Sequence, residues 1–458
     1  MARNNPPATG RATDQTNRKA RDYNVGLPAR QAAVNLLSNV LTDRMPLDDA
    51  LINSRAAREM ANLAERDRGL ARAITSTTLR RLGQIDAVLD QFLDKKPPKR
   101  SGPLREILRA ATCQLLFLDT PAHAAIDLAV TQCKQDRNAR HFGKLANAVL
   151  RRVSEQGPEI VASQEPGRIN TPGWLWKRWV TAYGEETARR VGQAHVHGAT
   201  LDLTVKKDPE RWAEKLNGIV LDTGTVRLTQ SGQIGNLEGF SNGDWWVQDA
   251  GAALPVRLFG DVRGKTIADL CAAPGGKSAQ LAFAGAHVTA VDISDRRLER
   301  VRENMDRLGL QVETVSADAA RWKPNEKFDA VLLDAPCTGT GTIRRHPDIA
   351  RLKSAKDLEE LTKLQTRLLG NAVTLLRPGG TLVYCTCSLE KEEGEAQIAG
   401  LLKCVSNAHV ESVDPKEVGG HNSWVTDEGF LRTLPYDLEP RVGELTGIDG
   451  FFAARIRF

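Results

Sequence analysis

No uninterrupted apolar run in this 458-residue chain approaches the ~18–20 residues of a membrane-spanning helix, so no membrane span is expected. The opening residues Met1-Ala2-Arg3-Asn4-Asn5-Pro6-Pro7 lack the apolar core of a secretory signal. Cysteine is sparse. The seven are scattered and odd in number, which argues against a disulfide framework and for a reducing cytoplasm. Cys385 and Cys387 stand as Cys-x-Cys with no second Cys/His pair nearby, so no metal is expected. Excess charge is small as well: 63 Lys and Arg against 57 Asp and Glu leave +6, which by itself names no polyanionic partner. What is present is ordinary for a globular chain, 41% apolar and 26% charged, at a length that suits two or three domains.

The distribution of charge says more than its sum. Basic residues gather at Arg18-Lys19-Ala20-Arg21, Lys95-Lys96-Pro97-Pro98-Lys99-Arg100, Arg137 through Arg152, and Arg344-Arg345. Any one cluster is equally well a solvated loop or helix face. Their number favours a phosphate backbone, and therefore nucleic acid, as partner.

Four segments follow from composition and periodicity. Residues 1–27 are polar, aperiodic and Pro-containing, as expected of a disordered basic tail. Residues 28–155 carry helical stripes such as Ala33, Leu36, Leu37, Val40 and Leu41, then Leu79, Ile85, Val88, Leu89 and Leu93, then Leu104, Ile107, Leu108, Ala111 and Leu115, then Ala124, Ala125, Leu128 and Ala129. Gly102-Pro103, Asp119-Thr120-Pro121 and Gly143 punctuate them, and the whole reads as an all-α bundle. Residues 156–259 change character, with Trp174, Trp176 and Trp179 followed by strand-like Leu201–Val205 and Trp245–Val247, which suggests a small α+β connecting domain. Those tryptophans read as local core in preference to a base-stacking platform.

From residue 260 to 458 strands and helices alternate. Thr266–Leu270, His287–Val291, Val312–Val315, Phe328–Leu333 and Gly380–Cys385 are strand-like; Ser278–Ala284, Arg296–Leu308 and Leu358–Leu376 are helical. Alternation predicts an α/β Rossmann-like domain, a parallel sheet covered on both faces, whose ligands lie beyond the carboxyl ends of its strands.

The first of these strands runs into Cys271-Ala272-Ala273-Pro274-Gly275-Gly276-Lys277 and then a helix. Glycines permit a tight turn and close ligand approach, and the helix start offers free N–H donors. Asp292 after the second strand suits the hydroxyls of a ribose, and Asp318 after the third suits an adenine amino group. The first strand itself ends in Asp269-Leu270; for any one of these acids alone a helix N-cap is the favoured reading, but three acids at three successive strand ends favour an adenosine ligand. NAD remains open, although Pro-Gly-Gly-Lys is not Gly-x-Gly-x-x-Gly. S-adenosyl-L-methionine has no phosphate, and its amino-acid portion can meet the backbone of this loop.

Two thiols complete the set, Cys337 in Asp334-Ala335-Pro336-Cys337 and Cys387 in Thr386-Cys387-Ser388. Either alone is most simply a buried strand-end thiol. Two of them at strand ends of one nucleotide-binding-type domain point to covalent chemistry on an electrophile.

Together, Ala273-Pro274-Gly275-Gly276-Lys277, Asp334-Ala335-Pro336-Cys337 and Thr386-Cys387-Ser388 resemble the RNA (cytosine-5) methyltransferase family, as do Cys387 through Glu395 and Asp449-Gly450-Phe451-Phe452. The bundle resembles a NusB-like RNA-binding domain around Phe142-Gly143-Lys144-Leu145-Ala146-Asn147-Ala148-Val149-Leu150-Arg151. The pairing is similar to bacterial 16S rRNA cytosine-C5 methyltransferases of the Sun/Fmu type over nearly the whole chain after Pro28. The resemblance implies S-adenosyl-L-methionine at Cys271 through Lys277, Asp292, Asp318 and Asp334, with 16S rRNA as partner and a monomeric, cytoplasmic enzyme. It implies Cys387 as nucleophile, Cys337 as the group that assists release, by acting as or positioning the base, and Asp334 on the cytosine edge. A Pro-Cys nucleophile of the DNA-methylating kind would exchange the two roles. Methylation of tRNA, or a non-catalytic RNA-binding protein that keeps the fold, are the alternatives. One departure stands out: the family often has Leu-Arg-Val-Asn where this chain has Leu201-Asp202-Leu203-Thr204-Val205, so an arginine available to RNA is missing.

Overall fold

The computed structural model describes residues 26–95, 97–98, 100–229, 232–438 and 446–458. The expected tail up to residue 25, with its Arg18-Lys19-Ala20-Arg21 cluster, and Lys96 and Lys99 lie outside the described residues. The chain divides into two compact units, Met1–Asn170 and Thr171–Phe458.

Among the described residues the first unit is all-helical: Leu27–Leu41, Leu47–Asn53, Arg55–Ala61, Glu65–Arg80, Leu82–Phe92, Leu104–Phe117, Ala122–Gln135, Gly143–Ala162 and Pro166–Asn170. The predicted stripes point inward, and Ala33, Leu36, Leu37, Val40, Ile107, Leu108 and Ala129 are buried. Burying side chains of this size stabilises the bundle by about 1.5–3 kcal/mol each for the leucines and valines. The stripe from Leu79 to Leu93 is two helices instead of one, because Arg81 leaves helical geometry (φ −100, ψ 15) between them. Gly83 sits where the chain passes against Ile169; a Cβ there would lie 1.9 Å from the Ile169 carbonyl oxygen. The helix from Gly143 runs to Ala162, beyond residue 155 where the bundle was expected to end.

The second unit begins with helices Gly173–Tyr183 and Glu185–Val196. A small antiparallel sheet follows, from β1 (Leu201–Val205), β2 (Gly218–Val220), β3 (Val226–Leu228) and β4 (Trp245–Val247), ordered β2-β3-β1-β4. Asp202, at the position where the resemblance leads one to expect arginine, is fully buried and pairs in register with Arg227 of β3. Arg227 Nε and Nη2 donate to its two oxygens at 2.8 and 2.7 Å. The changed residue is thus one half of an internal ion pair.

The large sheet comprises β5 (Thr266–Leu270), β6 (His287–Asp292), β7 (Glu313–Ser316), β8 (Phe328–Asp334), β9 (Leu376–Thr386), β10 (His409–Val410), β11 (Leu431–Arg432) and β12 (Phe452–Arg457). Its order is β10-β12-β9-β8-β5-β6-β7, with β11 beside β12. Strands β5 to β9 run parallel, as predicted, but β12 is antiparallel to β9, so the sheet is mixed. Alternation along each strand covers both faces. Val331, Leu333, Leu382 and Tyr384 pack with Leu368, Leu369 and Ile398 on one side. Ala330, Leu332, Val383 and Cys385 pack with Leu254 and Leu281 on the other.

Candidate active site

Strands β8 and β9 are neighbours, and Asp334 pairs with Cys385 at their carboxyl ends. Cys337 and Cys387 lie three and two residues past that rung, so the ladder delivers both thiols to one place. Their sulfurs are 3.5 Å apart. The contact with Cys387, together with burial, holds the Cys337 thiol well above the ordinary cysteine range. Cys337 therefore keeps its proton at neutral pH. Two backbone bonds tie the loops: Ala335 N–H donates to Cys385 O and Gly341 N–H to Cys387 O, each at 3.0 Å.

The Gly-rich turn lies beside them. After β5, Cys271 has φ 62 and Gly275 φ 98, and a Cβ on Gly275 would meet Val301 Cγ1 at 3.1 Å. Helix Gly276–Phe283 starts there and carries Lys277. Lys277 Nζ donates to Asp334 Oδ2 at 2.7 Å and lies 5.1 Å from the centre of the Phe451 ring. Burial works against the Lys277 charge, but Asp334 outweighs it and holds the ammonium above its ordinary range. Cys385, fully buried in β9, donates from Sγ to Asp334 Oδ1 at 3.4 Å. Asp334 thus arrives in the site with both oxygens oriented.

The other acids follow the strand order. Asp292, at the end of β6, is buried and accepts from Ala273 N at 3.3 Å and Ser294 N at 3.0 Å, which binds it to the Gly-rich turn. Asp318, past β7, is exposed and accepts from Ala320 N at 3.0 Å. Both therefore cap a local turn, with lone pairs remaining on each carboxylate. Asp269, the acid at the end of β5, is fully buried; burial pushes it up to about 7, although Ser278 Oγ donates to it. Its Oδ1 has no hydrogen-bond partner among the described residues.

Three further expectations met the structure. Trp179 is core, as read: it is buried with Leu175, Val191 and Leu389 and donates from Nε1 to Glu390. Arg344-Arg345 is not a phosphate footprint. Arg344 is 1% exposed, and Arg345 donates to Asp249 at 2.7 Å and Asp449 at 3.3 Å, because two buried carboxylates draw the pair inward. By contrast Arg137, Arg140, Lys144, Arg151 and Arg152 are exposed. Among the described residues no group of three His, Cys, Asp or Glu could hold a metal, and no helix is long and apolar enough to cross a membrane.

A sheet of this order, a glycine-rich turn after its first strand and acids after the second and third define a Rossmann-like methyltransferase domain, here with thiols at the next two strand ends. Residues 258–457 match the family model for 16S rRNA methyltransferase RsmB/F, and residues 27–155 that for the NusB family. The chain is 35% identical over 405 residues to Ribosomal RNA small subunit methyltransferase B of Xanthomonas campestris pv. campestris, covering 84% of this chain and 90% of the relative. It is 31% identical over 404 residues to the protein of that name from Shewanella oneidensis, covering 85% and 91%. The crystal structure of PH0851 shares the fold, with a TM-score of 0.75 at 23% identity over 94% of this chain and 99% of that one. The chain belongs to the RsmB/F family of RNA methyltransferases, joined to a NusB-like domain. The methyl donor of such an enzyme is S-adenosylmethionine. The residues present suit it: Asp269, Asp292 and Asp334 crowd carboxylates around a turn that admits close backbone approach, and Asp269 keeps a buried acceptor unmet.

Proposed function

We propose that this chain methylates C5 of a cytosine in 16S rRNA through a covalent bond between Cys387 and C6. The observation that carries the reading is the 3.5 Å contact of Cys337 and Cys387 beside the Lys277–Asp334 pair. Cys271 through Lys277, Asp292, Asp318 and Asp334 hold S-adenosylmethionine, which supplies an electrophilic methyl carbon. The C5 of cytosine is too weak a nucleophile to take that carbon unaided. The Cys387 thiolate adds to C6 and raises electron density at C5. Asp334 meets the N3/N4 edge of the base, where charge accumulates as the thiolate adds, and its acceptance from N4 selects cytosine. C5 then takes the methyl carbon. Its proton passes to a base that Cys337 positions or, once deprotonated, becomes, and the C–H electron pair restores the C5–C6 double bond as Cys387 leaves C6 as a thiolate. Cys337 assists this release, its S–H facing the departing Cys387 sulfur.

The target must leave any base stack it occupies, which costs least in a loop. The NusB-like bundle, with its exposed cluster from Arg137 to Arg152, and the small antiparallel domain bring the RNA to the site. The test is bisulfite sequencing of rRNA from cells with and without this protein, joined to methyl transfer in vitro onto undermodified small-subunit RNA. One 16S cytosine that loses its mark in the deleted cells supports the reading. Transfer to tRNA instead, or RNA binding with no transfer, overturns it.

A further inference from the structure

The residue that follows each cysteine is bonded to one and the same carboxylate. Thr338 N–H donates to Glu393 Oε1 at 2.9 Å and Oε2 at 3.1 Å, and its hydroxyl donates to Oε2 as well. Ser388 Oγ donates to Oε2 at 2.6 Å. The two hydroxyls are themselves 3.2 Å apart. Gln365 Nε2 reaches Oε1 at 3.0 Å and the Pro336 carbonyl at 2.9 Å, so a donor on helix Ala355–Thr374 braces the same knot. The Glu393 carbonyl accepts from Tyr384 Oη of β9 at 2.7 Å, which fixes the residue to the strand that delivers Cys387.

Glu393 is fully buried. A carboxylate out of water is costly unless donors surround it, and here backbone, hydroxyl and amide donors from three elements do. The sheet ladder between β8 and β9 ends at the Asp334–Cys385 rung, before either reacting thiol. Past that rung the thiol separation depends on what joins the two loops.

We propose that Glu393 is a positioning residue for the covalent chemistry: by binding Thr338 and Ser388 at once, it sets the separation of Cys337 and Cys387 so that attack and release occur at one C6 atom. The proposal rests on the reading of Cys387 and Cys337 as the reacting pair. Glu393 acts through its neighbours and makes no bond to the substrate.

Glu393→Gln keeps the size of the side chain but turns an NH2 toward donors that need an acceptor. Two measurements on the full chain test it. The first is kcat and KM for methylation of undermodified small-subunit rRNA. The second is the rate at which diamide joins Cys337 to Cys387 in the free protein, read by peptide mass; diamide takes up the two thiol hydrogens and both electrons as the S–S bond forms. The variant should lose about 10²-fold in kcat, the scale of an ångström-level misplacement. Its KM for RNA and for S-adenosylmethionine should stay within about threefold, since binding is untouched. Cross-linking should slow in parallel. A wild-type kcat or a wild-type cross-linking rate overturns the proposal. If Glu393→Gln does not fold, Thr338→Val and Ser388→Ala each withdraw one hydroxyl from the carboxylate, and wild-type cross-linking in both overturns it equally. The cross-linking result needs no methyl transfer. A wild-type protein that methylates no cytosine would therefore sink the catalytic reading alone.

Discussion

Cys337 Sγ lies 3.5 Å from Cys387 Sγ although fifty positions separate them in sequence. At that distance a base bonded at C6 to Cys387 has the Cys337 sulfur beside the bond that must break on release.

Substitution should separate their duties. Cys387→Ala is expected to abolish methyl incorporation and any RNA–protein adduct. Cys337→Ala should allow attack but slow release, with turnover down by about 10²–10⁴-fold and an adduct that persists on a denaturing gel. Adducts trapped by Cys387→Ala and prevented by Cys337→Ala would reverse the assignment.

Alkylation offers a check without substrate. Five thiols are held protonated: Cys337 by its contact with Cys387 and by burial, Cys385 by burial, Cys271 and Cys113 by burial up to about 12, and Cys133 by burial up to about 11. Only a thiolate attacks iodoacetamide. At neutral pH the reagent should label the proposed nucleophile Cys387 and the exposed Cys404 while sparing these five. Peptide mapping that finds Cys337 modified before Cys387 would count against the mechanism.

Asp269 should make stability pH-dependent. Its carboxyl is raised by burial to about 7. A carboxyl raised on folding contributes most below its unfolded value near ~4, where both states are protonated, and that contribution is lost as the pH rises to the folded value. The unfolding free energy of the wild type relative to Asp269→Asn should accordingly fall between pH 4 and about 7 and level off above. Urea titrations across that range measure it; a flat difference would mean that Asp269 is not buried as a neutral acid.

The Asp202–Arg227 pair should be costly to break from one side. Both side chains are fully buried. Asp202→Ala removes the carboxylate that meets both Nε and Nη2 of buried Arg227 and is expected to destabilise the second unit by about 3–5 kcal/mol. Thermal or urea melts would show it, and a loss within experimental error would place Arg227 in contact with water.

The parts of the fold readable in advance are those whose cause is local. β5 was located residue for residue and β8 to within one, since a run of apolar residues between turn signals needs no partner to be recognised. The break at Arg81 is marked by no proline, and the need for glycine two residues on, at Gly83, comes from the Ile169 carbonyl, far along the chain. Strands β10 and β11 are two residues each and exist through pairing with β12, so no period could reveal them.

The site divides along the same line. The reacting groups and cofactor loop we propose are short motifs, because turn chemistry and a strand-end thiol are written in consecutive residues. Arg344-Arg345 was misread for the opposite reason: a basic dipeptide looks solvated until Asp249 and Asp449, distant in sequence, are seen to enclose it. Asp269 at a strand end and Glu393 within Cys387–Glu395 show no sign in the sequence of their burial, since a carboxylate acquires its character from burial and donors, and those come from elsewhere. The kinds of chemistry proposed for this chain are thus present in its linear order. Which acid is neutral, which arginines turn inward and how far apart two sulfurs stand were decided when strands from different parts of the chain paired, because distance and burial are properties of contacts between remote residues.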